Sequence, residues 1–245
     1  MTERINVLGV QFDNVTMEEA VDRAFALQER HEAAYVVTPN PEIVMLCRAD
    51  ADAAAAVNAA AMTIPDGIGV IYGARILKTP LKEKVGGCDF SLRLMEKMNA
   101  AGRSVFLLGG KPGVAEQAAE RLHERFPHLR FVGTNDGYFG DDGPVVEKIN
   151  AAAPDLLMVC LGAPKQEKWM YAHAQELDVG LMIGAGGSLD VFAGTVERAP
   201  EAWCNAGFEW LYRLLKEPRR IGRMMSIPKF LLKVIGERLR GGAPD

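Results

Sequence analysis

The sequence predicts an α/β protein: a mostly parallel sheet covered by helices on both faces, with a basic amphipathic helical appendage at the C-terminus. Three observations predict it. Short apolar runs alternate with helical-period segments, the pattern of parallel strands joined by helical crossovers. Nearly every run stops in a loop rich in Gly, Pro, Asn or Asp. Between Leu211 and Arg240, nine Lys and Arg face only Glu217 and Glu237. That segment therefore carries +7; the whole chain carries −4, so the remainder carries −11. The division that follows is a core of residues 1–210 and a membrane-associating appendage of residues 211–245.

The elements follow in order. Ile5 to Val10 reads as a strand, with a turn at Asp13-Asn14. Thr16-Met17-Glu18-Glu19 has the form of a capping box and opens an amphipathic helix to about His31. Ala34 to Thr38 is a buried strand stopped by Pro39-Asn40-Pro41. An alanine-rich helical stretch spans residues 41–61. Met62 to Ile64 is a strand, Ile68 to Leu77 a helix, and residues 78–87 a polar loop. Cys88 to Ala101 is a helix. Strands at 104–108, 129–133, 155–161 and 179–183 then alternate with helices at 114–126 and 144–152 and from about 166 to 176. In parallel sheets ligands bind outside the carboxyl ends of the strands. The loops Thr38–Asn40, Pro65–Gly67, Gly109–Gly113, Gly162–Gln166 and Gly184–Gly187 are therefore expected to share one rim.

Composition narrows the function classes. At 245 residues, 49% of them hydrophobic, the chain can bury a substantial core. The opening Met1-Thr2-Glu3-Arg4-Ile5 lacks a basic region followed by an apolar run, which argues against a signal peptide. Nor is there a run of about 18 uncharged apolar residues of the kind that spans a bilayer. The four cysteines are scattered, as expected of buried thiols in a reducing cytosol. The four histidines form no metal-ligand pattern.

Five segments could carry chemistry. Asp66, beyond a strand, is placed either as a general base or as the N-cap of the helix beginning near Gly67. Thr38 and Asn40 are either hydrogen-bonding groups on a proline-fixed loop or parts of a helix-initiating turn, with Asn40 as N-cap and Pro41 at N1. Gly109 and Gly110 open a turn whose backbone N–H groups suit phosphate, or a plain turn. Gly162 admits a ligand near the backbone and lets Gln166 project from the first helical turn, or it belongs to a loop with a solvated polar face. Gly184, Gly186 and Gly187 give close backbone approach, with Asp190 placed to hold a ribose or base edge. Tyr138, in the loop after the strand at 129–133, joins the same expected nucleotide site.

Taken together, Val37-Thr38-Pro39-Asn40, Ile64-Pro65-Asp66-Gly67, Gly162-Ala163-Pro164-Lys165-Gln166-Glu167, Gly184-Ala185-Gly186-Gly187 and Glu209-Trp210-Leu211-Tyr212-Arg213-Leu214-Leu215-Lys216-Glu217-Pro218 resemble the WecG/TagA/CpsF family of bacterial glycosyltransferases. The resemblance implies a Rossmann-like α/β core and an inverting, metal-free transfer of N-acetylmannosamine or a related sugar from UDP, needing no cofactor. The acceptor it implies is undecaprenyl-diphospho-N-acetylglucosamine, for teichoic acid or surface polysaccharide. It implies Asp66 as catalytic base and Thr38, Asn40 and Gln166 in the sugar pocket, with Arg213, Arg220 and Arg223 over the diphosphate. Lys84 stands where family members often carry Arg, keeping the charge but not the planar fork. The setting implied is cytoplasmic, peripheral on the inner face of the membrane, against an anionic surface. Family members can also self-associate.

Two other classes fit less well. A nucleotide-dependent oxidoreductase wants a Gly-rich fingerprint after the first strand, where this chain has Gly9-Val10-Gln11-Phe12. A nucleic-acid binder wants a tail basic on all faces. Here Phe230, Leu231, Val234 and Ile235 intersperse with Lys229, Lys233 and Arg238, the spacing of a lipid-facing amphipathic helix.

Overall fold

A computed structural model gives the fold and describes residues 3–200, 203, 209–216 and 221–241. Strands β1 (Arg4–Val7) and β2 (Val10–Asp13) pair antiparallel. Leu8 and Gly9, at φ 55° and 93°, make the two-residue turn, both in the left-handed region that hairpins of this length use. This corrects the sequence reading, which gave one strand here: Val10–Asp13 is a second strand, and the hairpin lies apart from the main sheet. Buried Asp13 fastens it, pairing with Arg23 at 2.6 Å and accepting the Thr63 N–H at 2.8 Å.

Helix α1 (Met17–Arg30) begins as predicted, with both hydrogen bonds of the Thr16–Glu19 capping box formed. After β3 (Ala34–Val37), the expected single stretch over 41–61 is two helices, α2 (Pro41–Ala49) and α3 (Ala51–Asn58). Asp50 splits them. Its backbone is extended, and its carboxylate accepts the N–H groups of Asp52 and Ala53 at 3.1 Å each, so the local cap outcompetes helix continuation. The chain continues through β4 (Met62–Thr63), α4 (Ile68–Ile76), α5 (Gly87–Ala100), β5 (Ser104–Gly109), α6 (Val114–Arg125) and β6 (Arg130–Asn135). Next come α7 (Gly143–Ala152), β7 (Leu156–Cys160), α8 (Lys165–His173), β8 (Leu181–Gly184) and α9 (Ser188–Phe192). Helices α10 (Glu209–Lys216), α11 (Ile221–Met224) and α12 (Ser226–Leu239) follow. The short α9 has no counterpart in the sequence reading.

Six strands form one sheet in the order β4-β3-β8-β7-β5-β6, and every neighbouring pair is parallel. Alternation along β5 divides the core. Val105 and Leu107 pack with α1, α5, α6 and α9 on one face. Phe106 and Leu108 pack with α2, α4, α7 and α8 on the other. Strands buried on both faces read as continuous apolar runs, which is why β5 and β7 were legible.

The crossovers leaving β5 and β7 take opposite faces. Helix α6 follows β5 onto the first face, whereas α8 follows the neighbouring β7 onto the second. Oppositely directed crossovers from adjacent strands leave a crevice between their carboxyl ends, the usual ligand position in such sheets.

The C-terminal helix joins the core. Phe230 and Val234 of α12 are fully buried in the cluster containing α2 and α4. A Cβ at Gly73 of α4 would lie 2.6 Å from the Phe230 ring, so the glycine admits the ring. This corrects the lipid-facing assignment of these two residues. The opposite side of α12 presents Leu232, Ile235 and Leu239 to the surface, 70%, 44% and 81% exposed. Among the described residues, no helix is long and apolar enough to cross a membrane.

Candidate active site

The parallel sheet puts all the singled-out loops on one rim, as the alternation predicts. At the β4–β3–β8 end, polar side chains bond to backbone. Thr38, one residue past β3 and buried, donates from Oγ1 to the Gly184 carbonyl at 3.0 Å. Asn40 caps α2, its Oδ1 accepting the Ile43 N–H at 3.1 Å, with Pro41 at N1. The helix-initiating alternative is thus what the structure has at Asn40.

Asp66 does not cap α4. Gly67 holds that position, without a side-chain bond. Instead Asp66 Oδ2 accepts the Gly87 N–H at 3.3 Å, facing the positive end of α5. A Cβ at Gly87 would lie 3.1 Å from Thr38 Oγ1, so Thr38 and Asp66 flank one stretch of backbone. The Asp66 N–H donates to the Pro39 carbonyl at 3.1 Å, stitching the two loops together. On the other side, a Cβ at Gly86 would lie 3.7 Å from Asp66 Oδ1 and 3.8 Å from Asp89 Oδ2. Asp89 is ion-paired with Arg198. Chemically, this end offers a carboxylate proton acceptor with one oxygen fixed by backbone.

Gln166 lies in the first turn of α8 and is 1% exposed. Its Oε1 accepts the Gly186 N–H at 3.1 Å, and its Nε2 donates to Glu167 Oε1 at 2.9 Å. Glu167 is equally buried. Burial pushes its carboxyl above the usual carboxylate range, with the Gln166 hydrogen bond pulling the other way.

The β7–β5–β6 end is mostly backbone. Gly109 has φ 129°, and a Cβ there would meet the Cys160 carbonyl oxygen at 2.2 Å, so only glycine fits. The Gly110 N–H donates to the Cys160 carbonyl at 3.3 Å, and the Gly137 N–H to the Gly110 carbonyl at 2.9 Å. These bonds tie together the loops that follow β5, β6 and β7. Tyr138 stands over them, 73% exposed. Lys165 reaches toward this end, its Nζ 3.4 Å from the Gly137 carbonyl and 4.7 Å from the Phe139 ring centroid. Gly162 follows β7 at φ 77°. Asp190 sits on α9 beside Gly187, its backbone carbonyl accepting from Thr195 Oγ1 at 3.0 Å. Burial raises the Cys160 thiol to about 12, which leaves it a packing group rather than a nucleophile.

Lys84 is half-buried in the loop leading to Gly86. Arg220 lies outside the described residues, as do the side chains of Arg213 and Arg223, whose backbones fall in α10 and α11. Among the described residues, no group of three or more His, Cys, Asp or Glu is gathered as for a metal. Sequence reasoning missed Glu167, Asp89, Arg198 and Lys165. The Lys165-Gln166-Glu167-Lys168 run looks solvated, and only the fold buries its two middle residues. Asp89 and Arg198 meet across 109 positions, a pairing with no local signal.

The family described as Glycosyl transferase WecG/TagA/CpsF family matches residues 5–244. Relatives from two Staphylococcus aureus strains, MW2 and NCTC 8325 / PS 47, are each 36% identical over 236 residues, 95% of this chain and 92% of the relative. Both are named N-acetylglucosaminyldiphosphoundecaprenol N-acetyl-beta-D-mannosaminyltransferase. A match over nearly the whole chain, on a parallel sheet whose rim gathers Thr38, Asp66, Gln166 and the glycine turns, places this protein in the WecG/TagA/CpsF family of glycosyltransferases.

Proposed function

We propose that this glycosyltransferase moves N-acetylmannosamine, or a closely related sugar, from a UDP-sugar to undecaprenyl-diphospho-N-acetylglucosamine, with inversion and without a metal. The product would enter teichoic acid or surface polysaccharide synthesis. The observation that carries this reading is the joint placement of Asp66 and the bare glycine turns on one rim, with the β5/β7 crevice between crossovers. The activity named for the relatives supports the sugar and the acceptor.

In this reading Asp66 takes the proton of the acceptor hydroxyl as its oxygen attacks the anomeric carbon. The bond to UDP breaks on the opposite face, and the diphosphate carries the electron pair away. Thr38, Asn40 and Gln166 serve the sugars, and Lys84 offers its positive charge to a substrate phosphate. UDP lies along Gly109, Gly110, Tyr138, Gly162, Gly184, Gly186, Gly187 and Asp190. The arginines Arg213, Arg220 and Arg223 close over the departing diphosphate and balance its charge.

The acceptor's lipid tail calls for a membrane surface, and the location proposed is the inner face of the cell membrane. Met225, Pro228, Leu232, Ile235 and Leu239 are spaced three and four apart and exposed, with Lys229, Lys233 and Arg240 exposed among them. Such a face suits shallow insertion beside anionic headgroups, each basic residue adding about 1 kcal/mol before screening. One experiment tests the whole reading: UDP release from a panel of UDP-sugars with a synthetic prenyl-diphospho-N-acetylglucosamine acceptor, in excess EDTA. Release with UDP-N-acetylmannosamine is the expected result; a strict magnesium or manganese requirement would sink the metal-free part. Leu232→Gln with Ile235→Gln should abolish binding to anionic liposomes while leaving transfer to a short soluble acceptor intact.

A further inference from the structure

We infer that Glu167 is a positioning residue: its buried carboxyl sets which way round the Gln166 amide lies and so holds the Gly184–Gly187 turn in place. This rests on the reading of that turn as part of the donor site.

A glutamine amide has two nearly isosteric orientations, and only its partners choose between them. On one side Gly186 offers an N–H, which accepts nothing; on the other, Glu167 Oε1 accepts from Nε2. Turning the amide over would set two donors against each other at Gly186. The space admits little else. A Cβ at Gly184 would lie 3.1 Å from Gln166 Nε2 and 2.8 Å from the Met170 methyl. The turn is thus gripped twice, by Thr38 at the Gly184 carbonyl and by Gln166 at the Gly186 N–H.

Stability alone does not account for Glu167. Its Oε2 is buried and has no hydrogen-bond partner among the described residues. An apolar side chain of the same size would remove that unpaired oxygen. What an apolar side chain cannot supply is the acceptor for Gln166. Burial raises the Glu167 carboxyl while the Gln166 hydrogen bond pulls it down, and since the glutamine amide is uncharged the contact is a directed hydrogen bond in which Glu167 Oε1 accepts.

The experiment compares Glu167→Met, Glu167→Gln, Gln166→Met and the double Glu167→Met/Gln166→Met in the full chain. Two readouts are needed: amide hydrogen exchange of the 184–187 segment, and kcat and KM for the UDP-sugar. Glu167→Met should speed exchange at Gly186 and raise donor KM, each about tenfold, with a smaller change in kcat. Glu167→Gln, which keeps a carbonyl acceptor, should restore both to within about threefold. The double variant should be no worse than Gln166→Met. Unchanged exchange in Glu167→Met, failure of Gln to rescue, or additive losses in the double variant each overturn the inference. Faster exchange with unchanged donor KM would keep the Glu167–Gln166–Gly186 link and overturn instead the placement of the donor at this turn.

Discussion

The two ends of the rim are built differently. At the β4–β3–β8 end, three polar side chains each hold a backbone partner: Asp66 on Gly87, Thr38 on Gly184, Gln166 on Gly186. At the β7–β5–β6 end, backbone meets backbone, through Gly110 on Cys160 and Gly137 on Gly110, and the nearby side chains Tyr138 and Lys165 are exposed. Side chains locked by backbone bonds can be aimed at a reacting atom. Bare glycine backbone can instead approach a flat or multiply charged ligand closely. In the proposed function the first end carries the chemistry, and the second end, together with the Gly184–Gly187 turn, takes the nucleotide.

The largest expected effect lies at the first end. Asp66→Asn keeps the shape and can still accept the Gly87 N–H, so fold and UDP affinity should hold. Turnover should fall about 10²–10⁴-fold, the usual worth of a general base. Measuring kcat beside UDP binding by calorimetry checks this. Equal losses in both would mean that the two ends are not separable.

Gly109→Ala attacks the second end. The left-handed backbone alone costs an alanine about 1–3 kcal/mol, and the new methyl must also push aside the Cys160 carbonyl. Denaturant unfolding should show the loss, and UDP binding should weaken by about tenfold or more even below the melting transition. A variant as stable as the parent would show that the turn is not the rigid cradle the contrast requires.

How much of this was legible in the sequence depends on the range of the interaction involved. The rim followed from alternation alone, because each strand ran into a Gly- or Pro-rich loop. The Thr16 capping box and the Asn40 cap were local and readable. The β1–β2 hairpin was not, since Leu8 occupies a left-handed turn position that sequence patterns reserve for Asn, Asp or Gly. The break at Asp50 carried no glycine or proline to announce it. Helix α12 has apolar residues on two sides, and periodicity cannot say that Phe230 and Val234 face the core while Leu232 and Leu239 do not. At the site, Asp66 was visible as a candidate, but its partner Gly87 lies 21 positions away. The arginines of the appendage remain a proposal drawn from family likeness.

Thr38→Val gives a smaller test of the same contrast. Valine matches threonine in shape but cannot donate to the Gly184 carbonyl. The net loss should be about 0.5–1.5 kcal/mol of stability, the usual worth of one neutral hydrogen bond. Donor KM should rise through the loosened Gly184–Gly187 turn, while UDP, which in the proposed function also lies along Gly109, Gly110 and Gly162, should bind within about threefold of the parent. If UDP affinity falls as far as sugar affinity, the Gly184–Gly187 turn carries most of the hold on UDP, and the division must be redrawn through β8.

The smallest expected effect is Glu167→Gln, read as stability against pH. Burial raises the Glu167 carboxyl in the folded chain above its unfolded value. A group raised on folding contributes stability that is fully present below the unfolded value, about 4.3 for Glu, and lost as pH rises through the folded one. Glutamine does not titrate and keeps an acceptor for Gln166. Parent and variant should therefore melt alike in mild acid, and the variant should pull ahead as pH climbs. A gain of about 1 kcal/mol corresponds to about 2–4 °C in Tm for a chain of this size, within reach of scanning calorimetry at matched ionic strength. A constant gap from pH 4 to pH 9 would mean that Glu167 carries the same charge folded and unfolded. The rise of the buried Glu167 carboxyl behind Gln166 would then be wrong, and its place beside Gln166 would rest on the hydrogen bond alone.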